Sequence, residues 1–230
     1  MSIPSPRLTS LWTVLMSECT QQEVLVYVQV KSDCHPSSSL RVDKDLNAIK
    51  GGGACQLREK VLAEAAKTFI IVADYRKNSS LLGKTWTQGV PIEVAEFAWS
   101  KVQRQLVKLG SDAAILRMGK MKAGPVVTDN GCVPAELDGR QRDKKRELTG
   151  SIQYSNFIID AVFSPTIMQD PADLLSRVKL LTGVIEVGLF VNMCEAAYFG
   201  NEDGTITSKN KSGEVKEGIT FDVLRNPLVL

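Results

Sequence analysis

The chain has 230 residues, of which 43% are hydrophobic and 23% are charged, and its formal net charge is +2. This composition indicates a globular protein of one large or two small domains, and it argues against a membrane-spanning segment, a nucleic-acid partner or a membrane-surface partner. Five widely spaced cysteines without a C-x-x-C pair, and the single histidine His35, argue against disulfide frameworks, histidine-dependent triads and multi-histidine metal sites. We therefore expect a cytoplasmic protein whose proton transfers depend on carboxylates, lysines, tyrosines or cysteines.

The N-terminal part of the chain, residues 1–40, carries few recognisable elements. The segment VLVYVQV at residues 24–30 is rich in β-branched and aromatic residues and predicts a strand. Residues 32–40 predict a loop, because they contain a proline and several serines. Residues 8–16 are largely apolar, but no clear small-residue cleavage pattern follows them, so we do not expect a secreted protein.

Residues 46–74 have the regular pattern of an α/β protein. LNAIK at residues 46–50 predicts a short strand that leads into Gly51–Gly53, and residues 55–67 carry apolar residues at helical spacing. The apolar run TFIIVAD at residues 68–74 is typical of a parallel strand that is buried on both faces. The order strand, glycine turn, helix and strand predicts a βαβ unit and hence the α/β class.

The segment from residue 90 to residue 188 predicts a second group of elements. Strands are expected at residues 90–96, 114–118, 124–131, 156–163 and 184–191. Helices are expected at residues 98–109, closed by Gly110, and at residues 170–183, with Asp170 as N-cap, Pro171 at the first position and Gly183 at the end. We interpret the segment as a small layer of two βαβ units inserted in the first domain.

Two further segments do not fit this order. Asn130-Gly131 is a hairpin signal, but the charged residues 132–155 follow it instead of a partner strand, which is unusual for a two-residue turn. No aromatic residues interleave with the basic run 143–146, so we interpret that run as a solvated loop rather than a nucleic-acid patch. The chain after Thr207 is polar, and we expect it to fray.

The run Lys50-Gly51-Gly52-Gly53 is the first candidate for a functional site. Backbone N–H groups before a helix attract anions, so the run could cradle a phosphate, although it matches neither G-x-x-x-x-G-K-[ST] nor G-x-G-x-x-G. A flexible turn explains the same residues equally well. Glu59 in the following helix is either a functional carboxylate or a solvated one. Lys77, beyond the strand at residues 68–74, is either an anion ligand or a solvated loop lysine.

Seven blocks of the sequence together resemble one family. They are LNAIKGGGACQLREK, TFIIVADYRK, LGKTWTQGVPIEV, KAGPVVTDNG, NFIIDAVF, GVIEVGLFVN and YFGNEDGTI. In this order they are similar to ribose-5-phosphate isomerase of the A type, in its eukaryotic, fungal-like form, over residues 42–131 and 156–207. Seven collinear blocks are far more specific than one glycine triplet.

The resemblance implies an aldose-ketose isomerase of the non-oxidative pentose phosphate pathway. It would interconvert ribose 5-phosphate and ribulose 5-phosphate through an enediolate, without a metal or another cofactor. Glu59 would be the general base, Lys50 and Gly51–Gly53 would form the substrate-contacting loop, and Lys77 would bind the substrate. The resemblance also implies a homo-oligomer whose ligand is a small sugar phosphate, with neither a nucleic-acid nor a membrane partner.

The fold that we expect is an incomplete Rossmann-like parallel-sheet domain with a smaller ferredoxin-like α+β domain inserted in it. Residues 42–89 and 189–207 would form the partial catalytic α/β domain, and residues 90–188 the inserted domain. Residues 1–41 would be an atypical leader, and residues 208–230 a polar tail.

Two departures from the family pattern bear on function. Where the family carries the acidic motif D-G-A-D-E, which assists ring opening and proton movement, this chain has Ser37-Ser38-Ser39-Leu40-Arg41. The family's T-G-S-T-type phosphate loop has no counterpart in residues 1–40. We therefore hypothesise that residues 1–41 are an unrelated or frameshifted leader and that residues 132–155 are a short retained intron, in a mispredicted or alternatively spliced product.

Two alternatives to an active isomerase remain open at this stage. The first is a truncated, catalytically impaired family member that acts at most as a binding or interaction subunit, because loss of remote phosphate contacts lowers turnover as well as affinity. The second is a nucleotide-binding enzyme that uses the triple glycine, and the absence of either phosphate-loop pattern weakens it.

Overall fold

A computed structural model describes residues 24–28, 40–119, 123–128 and 156–219 of the chain. Within these residues lie three α-helices: α1 (Gln56–Ala65), α2 (Trp99–Lys108) and α3 (Pro171–Lys179). The strands of the same part of the chain are β1 (Val24–Val28), β2 (Arg41–Val42), β3 (Ala48–Ile49), β4 (Thr68–Asp74), β5 (Val90–Ala95), β6 (Ser111–Leu116), β7 (Asn156–Phe163), β8 (Val184–Val187), β9 (Leu189–Phe190), β10 (Cys194–Gly200), β11 (Ile206–Asn210) and β12 (Val215–Ile219). None of the helices described is long and apolar enough to cross a membrane.

The first sheet has the strand order β1-β4-β10-β11-β12. β4 is parallel to both of its neighbours, β1 and β10, as the apolar run at residues 68–74 predicted. Burial alternates along β4, however: Phe69, Ile71 and Ala73 are buried, while the residues between them are half-buried. The expectation that this strand is buried on both faces is therefore wrong, because its second face is only partly covered.

A separate three-stranded sheet corrects the predicted βαβ unit. β3 pairs antiparallel with β2 and with β9, so it does not lie in the same sheet as β4. The glycine loop and α1 therefore connect two sheets instead of crossing over one. At the end of β3 the N–H of Lys50 donates to the carbonyl oxygen of Gly188 at 2.8 Å. A Cβ at position 188 would lie 2.2 Å from the carbonyl oxygen of Lys50, so this close approach requires glycine.

The third sheet contains the elements of the segment 90–188 in the order β6-β7-β5-β8. Every pairing in it is antiparallel, and the chain order is β-α-β-β-α-β, as the predicted pair of βαβ units requires. The two strands of each unit run in the same direction but are separated by a strand of the other unit. The helices bury apolar residues at helical spacing in the core of this region. These residues are Val102 and Leu106 on α2, and Leu174 and Val178 on α3.

Local sequence patterns predicted most helices and strands of residues 90–188. The side chain of Asp170 caps α3 by accepting a hydrogen bond from the N–H of Asp173 at 2.9 Å, as predicted. The expected strand at residues 184–191 divides at Gly188 into β8 and β9, which belong to different sheets. The expected strand at 124–131 is not a strand over its described residues 124–128, which form isolated bridges to Met118 and Phe157.

The chain after Thr207 is ordered further than its polarity suggested. β11 pairs with β10, and β12 pairs with β11, so residues up to Ile219 extend the first sheet as an antiparallel hairpin. The expectation of fraying is wrong for residues 208–219. The physical reason is that an exposed edge strand needs backbone pairing and little apolar surface, so its sequence can be almost wholly polar.

Several predictions fall outside the described residues. These are residues 32–39 of the predicted loop, the Asn130-Gly131 hairpin turn and the charged segment 132–155. The last eleven residues of the chain lie outside them as well.

Candidate active site

Lys50 and Glu59 form a shielded ion pair beside the glycine loop. Lys50 Nζ lies 3.3 Å from Glu59 Oε2, and the two side chains are 1% and 10% exposed. Lys50 directly follows β3, and Glu59 lies in the first turn of α1, so the loop between them brings the two charges together. Glu59 is therefore not the ordinary solvated carboxylate that a helical position suggests.

The surroundings of Lys50 shift its acidity strongly. Burial lowers the pKa of Lys50 to about 8, and the nearby carboxylate of Glu59 opposes that shift without cancelling it. The ammonium group lies 5.4 Å from the ring centroid of Phe190, a cation–π contact that partly replaces lost water. Lys50 is therefore a cation at neutral pH that can lose its proton in mildly alkaline solution.

The second oxygen of Glu59 is also held. Cys55 Sγ donates to Glu59 Oε1 at 3.3 Å, and the N–H of Glu59 donates to the carbonyl oxygen of Cys55 at 3.1 Å. Both oxygens of the carboxylate thus have a defined neighbour, one an ammonium and one a thiol. These contacts restrict the rotamers of Glu59 and fix the direction of its carboxylate.

The glycine loop has one position that demands glycine. Gly51 has φ +106°, and a Cβ there would lie 2.9 Å from the side-chain oxygen of Gln56. Gly53, by contrast, is exposed and has room for a Cβ, whose nearest neighbour would be Cys55 Sγ at 3.7 Å. The first glycine therefore shapes the turn, and the third keeps the loop surface open.

Arg117, which no sequence motif indicated, binds the backbone of this loop. Arg117 Nη1 donates to the carbonyl oxygens of Gly51 at 2.9 Å and Gly52 at 3.1 Å. The guanidinium is itself paired with Asp160 on β7 through Nε and Nη2. A signal for this pair was present: Asp160 is an acidic residue inside the apolar strand NFIIDAVF, and a buried charge needs a partner.

A second unpredicted network anchors α1. Lys60 Nζ donates to Glu186 Oε1 at 2.7 Å and to the carbonyl oxygen of Val187 at 2.6 Å, and Lys179 Nζ donates to Glu186 Oε2 at 2.7 Å. Burial alone would raise the pKa of Glu186, but the ammonium of Lys60 and the hydrogen bonds lower it overall. Glu186, like Asp160, stood inside an apolar strand pattern.

Lys77 lies in a different environment from the ion pair. It ends the 3₁₀ turn Tyr75–Lys77, which directly follows β4, and it is half-buried. Burial lowers the pKa of Lys77, and the neighbouring cations Arg41 and Arg76 lower it further, while Asp74 opposes them. A concentration of positive charge at the carboxyl end of β4 is suited to an anion.

The resemblance predicts the acidic motif at residues 37–41, and the structure describes the last two of these residues. Leu40 is 1% exposed, and Arg41 packs over the ring of Trp86 at 5.1 Å and donates from Nε to the hydroxyl of Thr85 at 3.1 Å. A buried leucine and an arginine therefore stand at the last two positions of that motif, while Ser37–Ser39 lie outside the described residues. Within the described residues, no group of three histidine, cysteine or acidic side chains could hold a metal ion.

A protein-family model matches most of the chain. The family model "Ribose 5-phosphate isomerase A (phosphoriboisomerase A)" matches residues 39–154 and 139–204 in two overlapping segments. The first segment begins two residues before β2, and together the segments include Lys50, the glycine loop, Glu59, Lys77, Arg117 and Asp160.

Curated relatives and solved structures agree with this match. The ribose-5-phosphate isomerase of Mycosarcoma maydis is 60% identical over 186 residues, which cover 81% of this chain and 57% of that protein. The ribose-5-phosphate isomerase of Schizosaccharomyces pombe is 46% identical over 189 residues, covering 79% of this chain and 60% of that protein. The chain thus spans less than two thirds of the length of these relatives.

Two solved structures carry the same name. A D-ribose-5-phosphate isomerase solved with phospho-erythronic acid superimposes with a TM-score of 0.62 at 31% identity, over 82% of this chain and 65% of that one. The ribose 5-phosphate isomerase A of Methanocaldococcus jannaschii superimposes with a TM-score of 0.61 at 25% identity, over 82% of this chain and 66% of that one.

Proposed function

Since the chain belongs to the ribose 5-phosphate isomerase A family, as its sequence blocks predicted, we propose that it interconverts ribose 5-phosphate and ribulose 5-phosphate. The observation that carries the proposal is the shielded pair of Lys50 and Glu59, whose charged atoms lie 3.3 Å apart beside the glycine loop. A carboxylate and an ammonium at this spacing can move a proton and stabilise the negative charge that its removal creates.

The proposed reaction begins with proton abstraction by Glu59. Its carboxylate takes the proton from C2 of the open-chain aldose, the C–H electron pair forms a C1–C2 double bond, and the C1 carbonyl oxygen becomes an enediolate oxygen. Glu59 then returns the proton to C1, while the proton of the C2 hydroxyl moves to the oxygen on C1. The product is the 2-ketose, and no electron leaves or enters the substrate.

Lys50 is proposed to stabilise the enediolate oxygen. Its side chain is 1% exposed, so its charge acts in a medium that screens it far less than water does. The cation–π contact with Phe190 and the pair with Glu59 keep the ammonium in place before the reaction begins. Preorganised charge of this kind requires no reorientation when the negative charge develops.

The loop and the turn after β4 are proposed to bind the substrate. Gly51–Gly53 would offer backbone N–H groups near the reacting oxygens, which the exposed surface of Gly53 permits. Lys77 would bind an anionic group of the sugar phosphate, and the positive charge that Arg41 and Arg76 add around it supports this assignment. The fold positions this turn at the carboxyl end of a parallel strand, where ligands of α/β sheets collect.

We propose the following division of the chain. Residues 42–89 and 189–207 belong to a Rossmann-like catalytic domain, supported by the parallel pairing of β4 with β10. β1 and the hairpin that reaches Ile219 join the same sheet. Residues 90–188 belong to an inserted ferredoxin-like domain, supported by the β-α-β-β-α-β order and the four antiparallel strands. The active site then lies where the two meet, because Lys60 and the glycine loop contact β8 and Arg117.

A direct assay tests the activity. The purified chain is incubated with ribose 5-phosphate in D₂O, and NMR follows both the ketose and the deuterium that enters it. We expect ribulose 5-phosphate with deuterium at C1, because the proton on Glu59 exchanges with solvent, and we expect much slower turnover of ribose without its phosphate. Absence of ketose, with the chain folded, would contradict the proposal and leave the impaired binding subunit as the better description.

A further inference from the structure

The guanidinium of Arg117 spans two regions of the molecule. One edge faces the carboxylate of Asp160 on β7, and the remaining nitrogen, Nη1, reaches the carbonyl oxygens of Gly51 and Gly52 at 2.9 and 3.1 Å. The side chains of Arg117 and Asp160 are only 15% and 16% exposed, so this contact is largely removed from water.

The backbone of Arg117 is itself fixed. Its N–H donates to the carbonyl oxygen of Ile158 at 2.8 Å, and its own carbonyl oxygen accepts from the N–H of Val126 at 2.8 Å. A planar guanidinium held by two parallel bonds to a carboxylate has little freedom to turn. Nη1 is therefore a fixed point in space, set by the antiparallel sheet and not by the glycine loop.

This fixed point determines which way the loop amides face. The carbonyl oxygen of Gly51 shares a peptide unit with the N–H of Gly52, and the carbonyl oxygen of Gly52 shares one with the N–H of Gly53. In a planar trans unit the C=O and N–H bonds point in opposite directions, and no described peptide bond is cis. Holding both carbonyl oxygens against Arg117 therefore turns the N–H groups of Gly52 and Gly53 to the opposite side of the loop.

The glycine run gives an external restraint a conformational role. A run of three glycines has a wide choice of backbone conformations, so the loop sequence alone does not select one orientation of its peptide units. Inside the loop, the N–H of Ala54 donates to the carbonyl oxygen of Gly51 at 3.1 Å and restrains the first unit. The contact with Arg117 restrains that unit from outside the loop and also holds the second one. Gly53, on the far side, is exposed, which leaves room for a ligand there.

We propose that Arg117, held by Asp160, is a positioning residue that orients the Gly51–Gly53 loop so that the N–H groups of Gly52 and Gly53 face an anionic oxygen of the substrate. The identity of that substrate rests on the proposed isomerase function. Arg117 itself does not touch the substrate in this arrangement, because its donors are already directed at Asp160 and at the loop carbonyl oxygens.

The test uses Arg117→Ala, Arg117→Lys and Asp160→Asn in the full chain. The matched control is Arg177→Ala on α3, which removes an arginine paired with an aspartate, Asp173, where the side chains are 43% and 57% exposed. Three quantities are measured: kcat and KM for ribose 5-phosphate, recovery of kcat on adding guanidinium ion, and hydrogen exchange of the amides from Gly51 to Ala54.

We expect Arg117→Ala to lower kcat roughly 10- to 100-fold in a chain that remains folded, because small displacements of positioning groups have effects of this size. Guanidinium ion should restore part of the loss, since it can fill the same site. The loop amides should exchange about tenfold faster or more, because the loop opens more readily. Arg117→Lys should also lose most of the wild-type kcat, because one ammonium cannot reproduce the forked hydrogen bonds of the guanidinium.

Arg177→Ala should leave all three quantities unchanged within about twofold, since exposed pairs contribute little. A folded Arg117→Ala chain with wild-type kcat, or with lowered kcat and unchanged loop exchange, would overturn the proposal. If Arg117→Ala does not fold, Arg117→Lys and Asp160→Asn decide by the same criteria. If the wild-type chain lacks isomerase activity, the proposed function fails separately, and loop exchange alone supports or overturns the orienting role.

Discussion

Two lysines lie against the same aromatic ring but in different kinds of site. Lys60 Nζ is 5.2 Å from the ring centroid of Phe190 and Lys50 Nζ is 5.4 Å from it. Lys60 makes short hydrogen bonds of 2.7 Å to Glu186 and 2.6 Å to Val187, whereas Lys50 lies 3.3 Å from its carboxylate partner, Glu59. The two ion pairs thus differ in their geometry, and our proposal assigns Lys60 to stability and Lys50 to charge on the substrate.

The sharpest way to test this comparison is to remove each ammonium in turn. Lys50→Met should lower kcat by about 10²–10³-fold, since loss of one preorganised group that stabilises an oxyanion has an effect of that size. Steady-state kinetics on ribose 5-phosphate, together with circular dichroism to confirm folding, measures it. Retention of more than a third of wild-type kcat would show that Lys50 does not contact the developing charge.

The pH dependence of kcat tests the role of Lys50 next. Because burial lowers the pKa of Lys50 to about 8, the active ammonium form is present below that value and is lost above it. We expect kcat to fall about tenfold per pH unit at pH values well above 8. A pH–rate profile measures this, and an alkaline limb that starts only near pH 10 would contradict the assignment of Lys50.

The lowered pKa of Lys50 also makes stability depend on pH, in the direction opposite to activity. Between pH 8 and the unfolded-state value of 10.5 for a lysine, the unfolded chain binds more protons at this residue than the folded chain does. The contribution of Lys50 to the free energy of unfolding therefore rises with pH in that window, while activity falls. Urea titrations of the wild-type chain and of Lys50→Met at several pH values would reveal the difference.

Lys60→Met should affect stability more than catalysis. It leaves the buried Glu186 with Lys179 as its remaining cation, and we expect the free energy of unfolding to fall by about 3 kcal/mol. The kcat of the folded fraction should change much less than it does in Lys50→Met. Denaturant unfolding monitored by fluorescence, with kinetics on the same samples, measures both; a loss of kcat equal to that of Lys50→Met would remove the distinction.

The smallest expected effect concerns the thiol beside Glu59. Cys55→Ala removes the donor to Glu59 Oε1, and we expect kcat to fall a few-fold, in line with the loss of one weak hydrogen bond of about 1 kcal/mol. The control is Cys194→Ala, whose buried thiol donates to the carbonyl oxygen of Ala196 instead. Equal kcat in both variants would show that Cys55 does not help to aim the carboxylate.

Local patterns predicted much of the fold. The strand at residues 68–74 and the strand at residues 156–163 have the predicted bounds, because short runs rich in apolar and β-branched residues specify strands. Asp170 caps α3 as expected, since capping is decided within a single turn. The pairing of β3 was not predictable in this way, because a two-residue strand carries no periodic signal and its partners lie in distant segments.

The candidate site likewise contains residues that local sequence predicts and residues that only the fold brings together. Lys50 and Glu59 are predictable because both lie in one block, LNAIKGGGACQLREK, that resembles the family. Arg117 and Asp160 were missed because they meet each other across 43 residues and meet the loop across more than 60. Acidic residues inside apolar strands, such as Asp160 and Glu186, were the available clue that a distant cation would be required.

The central claim is that Glu59, held beside Lys50, transfers the proton. The most direct measurement compares kcat of Glu59→Gln with that of Glu64→Gln, an exposed glutamate on the same helix, using ribose 5-phosphate and chains shown to be folded. We predict a loss of about 10²–10⁴-fold for Glu59→Gln and wild-type kcat for Glu64→Gln. A Glu59→Gln chain with kcat near that of the wild type would contradict the claim.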